Sequence, residues 1–520
     1  MTRAPGGSRG PGDASSSEDE EALSTRHIRG SSLLLAGRVG SMAVKLAAQV
    51  LIVRHLSTGD FGAWSYALAA AVFFRGFATV GLNRTLPRFL AIHLEREEYS
   101  RFWGTLLLVL GTLLATTGLV VAAFHAFPQG MTELAGQGPE ALHVLFIIVL
   151  LVPLEALDDF LTGLLATFSR SRTIFLRRYV LSPMLLLTAA IALVVLDGDV
   201  RFLAHAYVGA ILLGILYYGW SAVRVLAQEG LLGKLKGRIL LPVREVFGYT
   251  APLMTSDWVG TLLVSMGPLA LGYVSDLDAV AIYRVVVPLV AVSEVVRRTF
   301  VLLFRPTASR LFARGDFQGL EALYWRTAAF VAVLGFPAFA VLFVAAEPLT
   351  VLFFGERYLP SAAVLSLLVV GHQLASVMGP NNHTLKVVGR VGWVVVINVA
   401  TVLVTLAFHG LLVPAYGVVG AGVATTASLG VHHGLYHLAL HRLVGLRPFP
   451  GRYLRPYLAM AAAFPLLVLV RLAAPADVWV QVATVVLTST AVFMAARPSL
   501  ELSATFPEAA RFRLVRALLG

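Results

Sequence analysis

The sequence has no cysteine among its 520 residues. That excludes a disulfide framework, a thiolate nucleophile and any cysteine-ligated metal. Charge is also scarce. Only 13% of residues are Asp, Glu, Lys or Arg, about half of the roughly 25% usual in soluble domains. A soluble chain of this length needs a charged surface that this composition cannot supply. Lysine is rarest of all, four residues against 37 arginines. No Gly-rich phosphate loop, nucleotide motif or nucleophile paired with a base is present, so no ATPase or other enzyme is indicated and no cofactor is implied.

What is abundant is apolar. Hydrophobic residues make up 58% of the chain, and the mean hydropathy is +0.79. This composition predicts an all-α polytopic membrane protein. About fourteen apolar stretches are long enough to span a bilayer as helices. They run over 33–53, 63–82, 104–127, 141–165, 174–196, 202–223, 248–273, 280–303, 327–345, 361–380, 387–409, 417–440, 457–474 and 478–496. They are continuous rather than alternating, which argues against barrel strands. Residues 1–24 are rich in Gly, Pro, Ser and acid, including SSSEDEE from Ser15. They read as a disordered cytoplasmic tail, with no signal-peptide pattern.

The basic residues test the count. With alternating sides, 33 of the 41 Lys and Arg residues fall on one side, and four, Arg54, Arg201, Arg357 and Arg471, on the other. The remaining four lie inside the stretches. This asymmetry predicts fourteen spans in the cytoplasmic membrane, with both termini cytoplasmic. In this setting the net charge of +12 is an orientation signal and does not call for a nucleic-acid partner.

A weak internal repeat accompanies the pattern. At an offset of 218 residues, Ser57, Asp60 and Ala63 after the first stretch match Ser275, Asp278 and Ala281 after the seventh. The expectation is two six-helix lobes related by pseudo-two-fold symmetry around a central cavity, residues 25–240 and 241–445. Residues 446–520 then hold the last two helices and a cytoplasmic tail.

Charges at bilayer depth cost about 2.5–3.5 kcal/mol each on insertion scales, so they must face a cavity or a partner. Arg38, Lys45 and Gln49 share one face of the first stretch. Arg75 lies in the second and Arg284 in the eighth, which also carries Glu294. Glu155, Asp158 and Asp159 share a face of the fourth, and Asp257 lies in the seventh. Arg38, Lys45, Arg75 and Arg284 are the candidates for a cationic cavity that binds an anion such as a pyrophosphate, which arginine grips with paired donors. The competing reading is structural pairing, with Arg38 or Lys45 tied to the carboxylates of the fourth stretch. Arg75 and Arg284 have no carboxylate one turn away on their own helix, which favours the cavity for both. Glu155, Asp158, Asp159 and Asp257 could serve ion coupling or structural pairing. His432, His433, His437 and His441 have the spacing of metal ligands. They lie without a carboxylate near a helix end, so a wet terminus is the plainer reading and no metal is assigned. Pro252, Gly260, Gly267 and Pro268 predict a broken seventh helix beside a lateral portal.

Four segments resemble one family: RGSSLLLAGRV with HLSTGDFGAWSYALA (Arg29 to Ala69), LTVLFFGERYLPSAAVL (Leu349 to Leu365), GPNNHTLKVVGR (Gly379 to Arg390) and LLVPAYGVVGAGVAT (Leu411 to Thr425). In this order they resemble the polysaccharide flippases, of O-antigen type, in the multidrug/oligosaccharidyl-lipid/polysaccharide exporter superfamily, related to lipid II flippases. The resemblance implies two lobes around a cavity that opens to alternate sides. The implied partner is an oligosaccharide on a polyprenyl pyrophosphate or phosphate carrier, together with membrane lipids and glycan polymerases or glycosyltransferases. Basic residues of helices 1, 2 and 8 line the cavity in the lipid II relatives, and Arg38, Lys45, Arg75 and Arg284 stand on the corresponding helices. Two alternatives remain open at this level: an ion-coupled multidrug exporter of the same superfamily, and a non-transporting scaffold of a glycan assembly complex.

Overall fold

The computed structural model describes residues 37–127, 139–236, 239–474 and 477–500. The expected N-terminal and C-terminal tails lie outside them. Among the described residues there are helices and turns but no strand. In chain order the helices are α1 (37–55), α2 (Thr58–Ala78), α3 (Leu82–Glu95), α4 (Tyr99–Ala126), α5 (Pro139–Ile148) and α6 (Leu151–Thr167). Next come α7 (Ser171–Phe175), a π-helical turn over Leu176–Leu181, α8 (Ser182–Val195), α9 (Val200–Gln228) and α10 (Val243–Val274). They continue with α11 (Leu277–Val285), α12 (Val287–Ser293), α13 (Val295–Ala313), α14 (Phe317–Val344), α15 (Ala346–Phe354), α16 (Ser361–Val377) and α17 (Asn381–Val387). The last are α18 (Val391–Val444), α19 (Gly451–Ala473) and α20 (Val478–Leu500).

Short polar turns start these helices. Ser57, Asp199, Asp276 and Asp316 each accept a hydrogen bond from the backbone N–H three residues on, which satisfies a first-turn donor with no helical partner. The repeat read from sequence meets the structure here. Ser57 caps α2, whereas the matching end of the second half uses Asp276, one residue past Ser275. α18 is two helices joined at Gly417, whose φ of 54° and ψ of −129° few other residues adopt.

Among the described residues the apolar stretches are helical, although the fourth, fifth and eighth are each divided among more than one element. Among the described residues nine helices are long and apolar enough to cross a membrane, and the bent pair of α11–α12 with α13 makes up to ten. α18 covers two stretches at once. The stretches that miss this standard are the first, fourth and seventh. They carry Arg38 and Lys45, then Glu155, Asp158 and Asp159, then Asp257. The fourth misses it because a break after Ile148 leaves helices of 10 and 17 residues.

The expected break in the seventh stretch is corrected. α10 runs unbroken over Val243–Val274, packed along α18 on one side and α2 on the other. Packing on two sides can hold a proline-containing helix together. The breaks occur instead in the eighth stretch, at Val286 and Glu294. Pro288 lies in the first turn of α12, where its missing N–H costs little.

α2 runs along both α10 and α11 and so joins the two halves of the chain. At Gly62 an added Cβ would come within 1.9 Å of the Leu277 carbonyl oxygen, so only glycine permits this approach. Toward the arginine-rich end the seam continues with the Thr85 and Thr250 hydroxyls, 2.8 Å apart, and with Arg88 donating to the Tyr249 hydroxyl at 3.2 Å. α14 is the most enclosed spanning helix, with Trp325, Phe330 and Phe336 buried. α19 is fastened to it by Arg471, which lies over the Phe343 ring and donates to the Ser366 hydroxyl of α16.

Candidate functional site

The charges of the first half converge on α6. Glu155, Asp158 and Asp159 sit within two turns of that helix, which packs against α2, α3, α4, α7 and α9. From α2, Arg75 places its Nε 3.0 Å from Glu155 Oε2 and its Nη1 2.7 Å from Asp159 Oδ2. Asn83 adds a hydrogen bond to the same Asp159 oxygen at 3.3 Å. No carboxylate lies one turn from Arg75 on its own helix, as the sequence shows, yet Arg75 is paired. Its partners come from a neighbouring helix, where spacing along α2 cannot reveal them.

Asp158 is held by a residue that sequence reasoning misplaced. By the charge pattern Arg177 belongs with the basic residues of the arginine-rich side. It lies in the π-helical turn, and its Nη2 is 2.8 Å from Asp158 Oδ1. Its side chain is only 6% exposed. It lies across Gly214 of α9, where an added Cβ would meet the guanidinium at about 2.1 Å, and beside the Tyr218 ring. A signal was present, since Arg177 falls inside the fifth apolar stretch. A π turn shifts side chains off the regular helical spacing and often marks functional positions.

The carboxylates of α6 are thus taken by Arg75 and Arg177, and not by Arg38 or Lys45. Lys45 stays exposed on α1, within electrostatic range of Arg177 and Arg178. One turn along, Gln49 donates to the Val285 carbonyl at 3.0 Å, which ties α1 to the end of α11. Arg284 precedes that contact. It has no hydrogen bond or ion pair among the described residues. Tyr207 of α9 lies within electrostatic range of Glu155, Arg75, Arg177 and Arg284, so it stands where the two halves of the chain face each other. The structure therefore brings Lys45, Arg75 and Arg284 into one neighbourhood with Glu155, Asp158 and Asp159. Arg38 lies two turns before Lys45, beside Gly37, whose Cβ position is filled by the Phe175 ring. Asp257 belongs to α10 in the second half, where its neighbours Thr255 and Ser256 accept from Asn398 Nδ2. Of these cations, Arg75, Arg177 and Arg178 lie within electrostatic range of the α6 carboxylates, whereas Lys45 lies near Arg177 and Arg178, and Arg284 near Tyr207 and Tyr283.

The second half holds a different chamber. A cavity of about 360 Å³ lies between α10, the broken eighth stretch, α16, α17 and α18, lined by Glu294, Arg297, His372, Asn381 and His433 among others. Glu294 sits at the break between α12 and α13. Arg297 and Arg298 of the following turn grip its two oxygens, and His372 Nδ1 lies 3.0 Å away. His432 and His433 do not form a wet helix end. Both are buried, bonded through Nδ1 to the Thr401 hydroxyl and to Asn381 Oδ1. Among the described residues no cluster of side chains could hold a metal ion. His372 escaped sequence reading because a single histidine in an apolar helix gives no spacing pattern.

A chain whose described residues are helical, with nine or more helices among them able to cross a bilayer and with charge sequestered between them, is a multi-pass membrane protein. Its fold is shared with membrane transporters. It superposes on the lipid II flippase MurJ in an inward closed conformation with a TM-score of 0.68, at 13% identity, covering 88% of this chain and 97% of that one. An inward-facing multidrug resistance MATE family transporter of the MOP superfamily gives 0.61, at 12% identity, covering 78% and 95%. The MATE multidrug transporter DinF-BH gives 0.55, at 12% identity, covering 80% and 95%. No curated protein matches the chain. Residues 28–312 match the family model described as Polysaccharide biosynthesis protein, and the chain belongs to that family. The polysaccharide part of the resemblance is borne out by the family match, which covers the first of the four sequence segments, and the fold is the one the resemblance implies.

Proposed function

We propose that this protein flips an oligosaccharide linked to a polyprenyl phosphate or pyrophosphate across the cytoplasmic membrane, by alternating access, for cell-surface polysaccharide synthesis. Fourteen spans with both termini cytoplasmic, two lobes over residues 25–240 and 241–445, and two further helices in 446–520 form the frame. Arg284, Lys45 and Arg75 are the anion-binding side chains, with Arg38 nearer the arginine-rich end. Arg284 carries the proposal, because it is a bilayer-depth arginine without a protein counter-charge among the described residues. A carrier phosphate supplies that charge. A pyrophosphate entering the membrane needs such donors in place of its hydration. Arg75 comes from the first half and Arg284 from the second, so one anion touching both biases the equilibrium between inward and outward states. Glycan polymerases or glycosyltransferases are the partners that would act on the flipped lipid or supply it.

The MATE likeness favours a second reading, an ion-coupled drug exporter. The α6 carboxylates argue against it as coupling groups, since Arg75 and Arg177 already hold them. Complementation of a glycan-export defect tests the choice, with immunoblots of the same membranes. Arg284→Ala is expected to abolish export at wild-type abundance. Full export by Arg284→Ala combined with Lys45→Ala would eliminate the anion site. Reporter fusions test the frame: Gly198 and Asp276 should report outside, and Gly233, Gly315 and Gly445 inside.

A further inference from the structure

Two of the four basic residues assigned to the arginine-poor side make a reciprocal contact across the halves. Arg54, in the last turn of α1, donates from Nε to the Phe353 carbonyl at 3.2 Å and from Nη2 to the Leu352 carbonyl at 2.7 Å. Those carbonyls belong to the last turn of α15. Arg357 follows α15 by three residues and donates from Nη2 to the Val53 carbonyl, in the last turn of α1. Each arginine thus stands at the end of one helix and caps the end of the other.

The final carbonyls of a helix have no partner within it and carry partial negative charge. A guanidinium is well suited to them, because its fork can reach two carbonyls at once. The surroundings reinforce the contact. The Tyr358 ring meets the Phe61 ring edge-on at 6.3 Å and lies under Arg357. On the same end Gly62 touches the Leu277 backbone. The α2 seam with α10 and α11 is packed side chain to backbone along its length. The arginine pair instead consists of polar bonds made by residues that are themselves exposed, and water can replace those bonds when the helices part.

We propose that Arg54 and Arg357 form a double latch that holds the arginine-poor end of the molecule closed, and that its release is the step that opens this end. The inference rests on the alternating-access reading above. Because each arginine caps the opposite helix, losing one leaves the other bond in place, whereas losing both frees the two ends. The latch sets the balance between closed and open states without touching the transported molecule.

The absence of cysteine makes the test direct. Cysteines introduced at Leu196 and Leu359, both exposed and one in each half, carry spin labels for distance measurement on the full chain in lipid nanodiscs without substrate. Arg54→Ala and Arg357→Ala are each expected to raise the long-distance population about fivefold, and the pair to raise it further. Arg54→Lys and Arg357→Lys, which keep one donor, should fall between. They carry the test if an alanine variant does not purify folded. A double variant with the wild-type distribution overturns the latch. If the wild type itself shows both populations, that result leaves alternating access standing. A single short distance in every variant, also after adding a polyprenyl diphosphate, overturns the latch and alternating access together.

Discussion

The two halves of this protein bury charge in different ways. In the first half the compensation crosses helices: α6 supplies three carboxylates, α2 answers with Arg75, and the π turn before α8 answers with Arg177. In the second half it is mostly local. Glu294 is gripped by Arg297 and Arg298, three and four residues on, and among the described residues only His372 comes from another helix. The consequence is mechanical. Cross-helix pairs tie the positions of α2, α6 and the π turn together, so the first half behaves as one braced unit. A local triad leaves the eighth stretch free to bend at Glu294, where the structure shows its break.

That contrast can be broken first at the buried pair. Asp158→Ala leaves the Arg177 guanidinium buried and unmatched, an expected loss of about 3–5 kcal/mol of stability. Thermal unfolding of the purified protein in detergent measures it. Arg177→Met combined with Asp158→Leu should recover most of the loss. Glu294→Ala should cost less, about 1–2 kcal/mol, because Arg298 is 56% exposed and can turn to water. Equal losses at the two sites would remove the distinction between braced and hinged halves.

The seam between the halves comes next in size. Gly62→Leu drives a side chain into the Leu277 backbone and should cost about 1–3 kcal/mol by overpacking. Gly260→Ala meets open space beside the second-half cavity. It should be neutral or stabilising by up to about 1 kcal/mol, through helix propensity alone. The melting temperatures of the two variants, compared side by side, decide the point.

The smallest effect on folding, and the sharpest on function, is expected at the two arginines of the proposed anion site. Arg284→Ala removes no protein partner among the described residues, so membrane abundance should stay near wild type while export falls at least about tenfold. Arg75→Ala orphans Glu155 and Asp159, so abundance and export should fall together. Adding Glu155→Gln and Asp159→Asn should restore abundance but not export. Restored export in that triple variant would show that Arg75 serves structure only.

The sequence alone determined that the chain lives in a membrane, that it is helical, and roughly where its apolar segments run. Hydropathy acts along the chain at a scale of about 20 residues, and 13% charge leaves few ways to be wrong. It also located the residues worth asking about, because a charge at bilayer depth stands out against apolar neighbours. Arg38, Lys45, Arg75, Arg284 and the α6 carboxylates were all visible in this way. What it could not decide was pairing. Arg75 and Asp159 are 84 residues apart, and Arg54 and Phe353 are 299 apart. No local periodicity encodes which face of α6 meets α2, or which helix end lies across from Arg357. Proline content likewise misled about α10, where packing on two sides holds the helix continuous, and the break moved to Glu294. Those choices belong to tertiary structure, because the energy of a buried charge depends on what surrounds it in space and not on what precedes it in the chain.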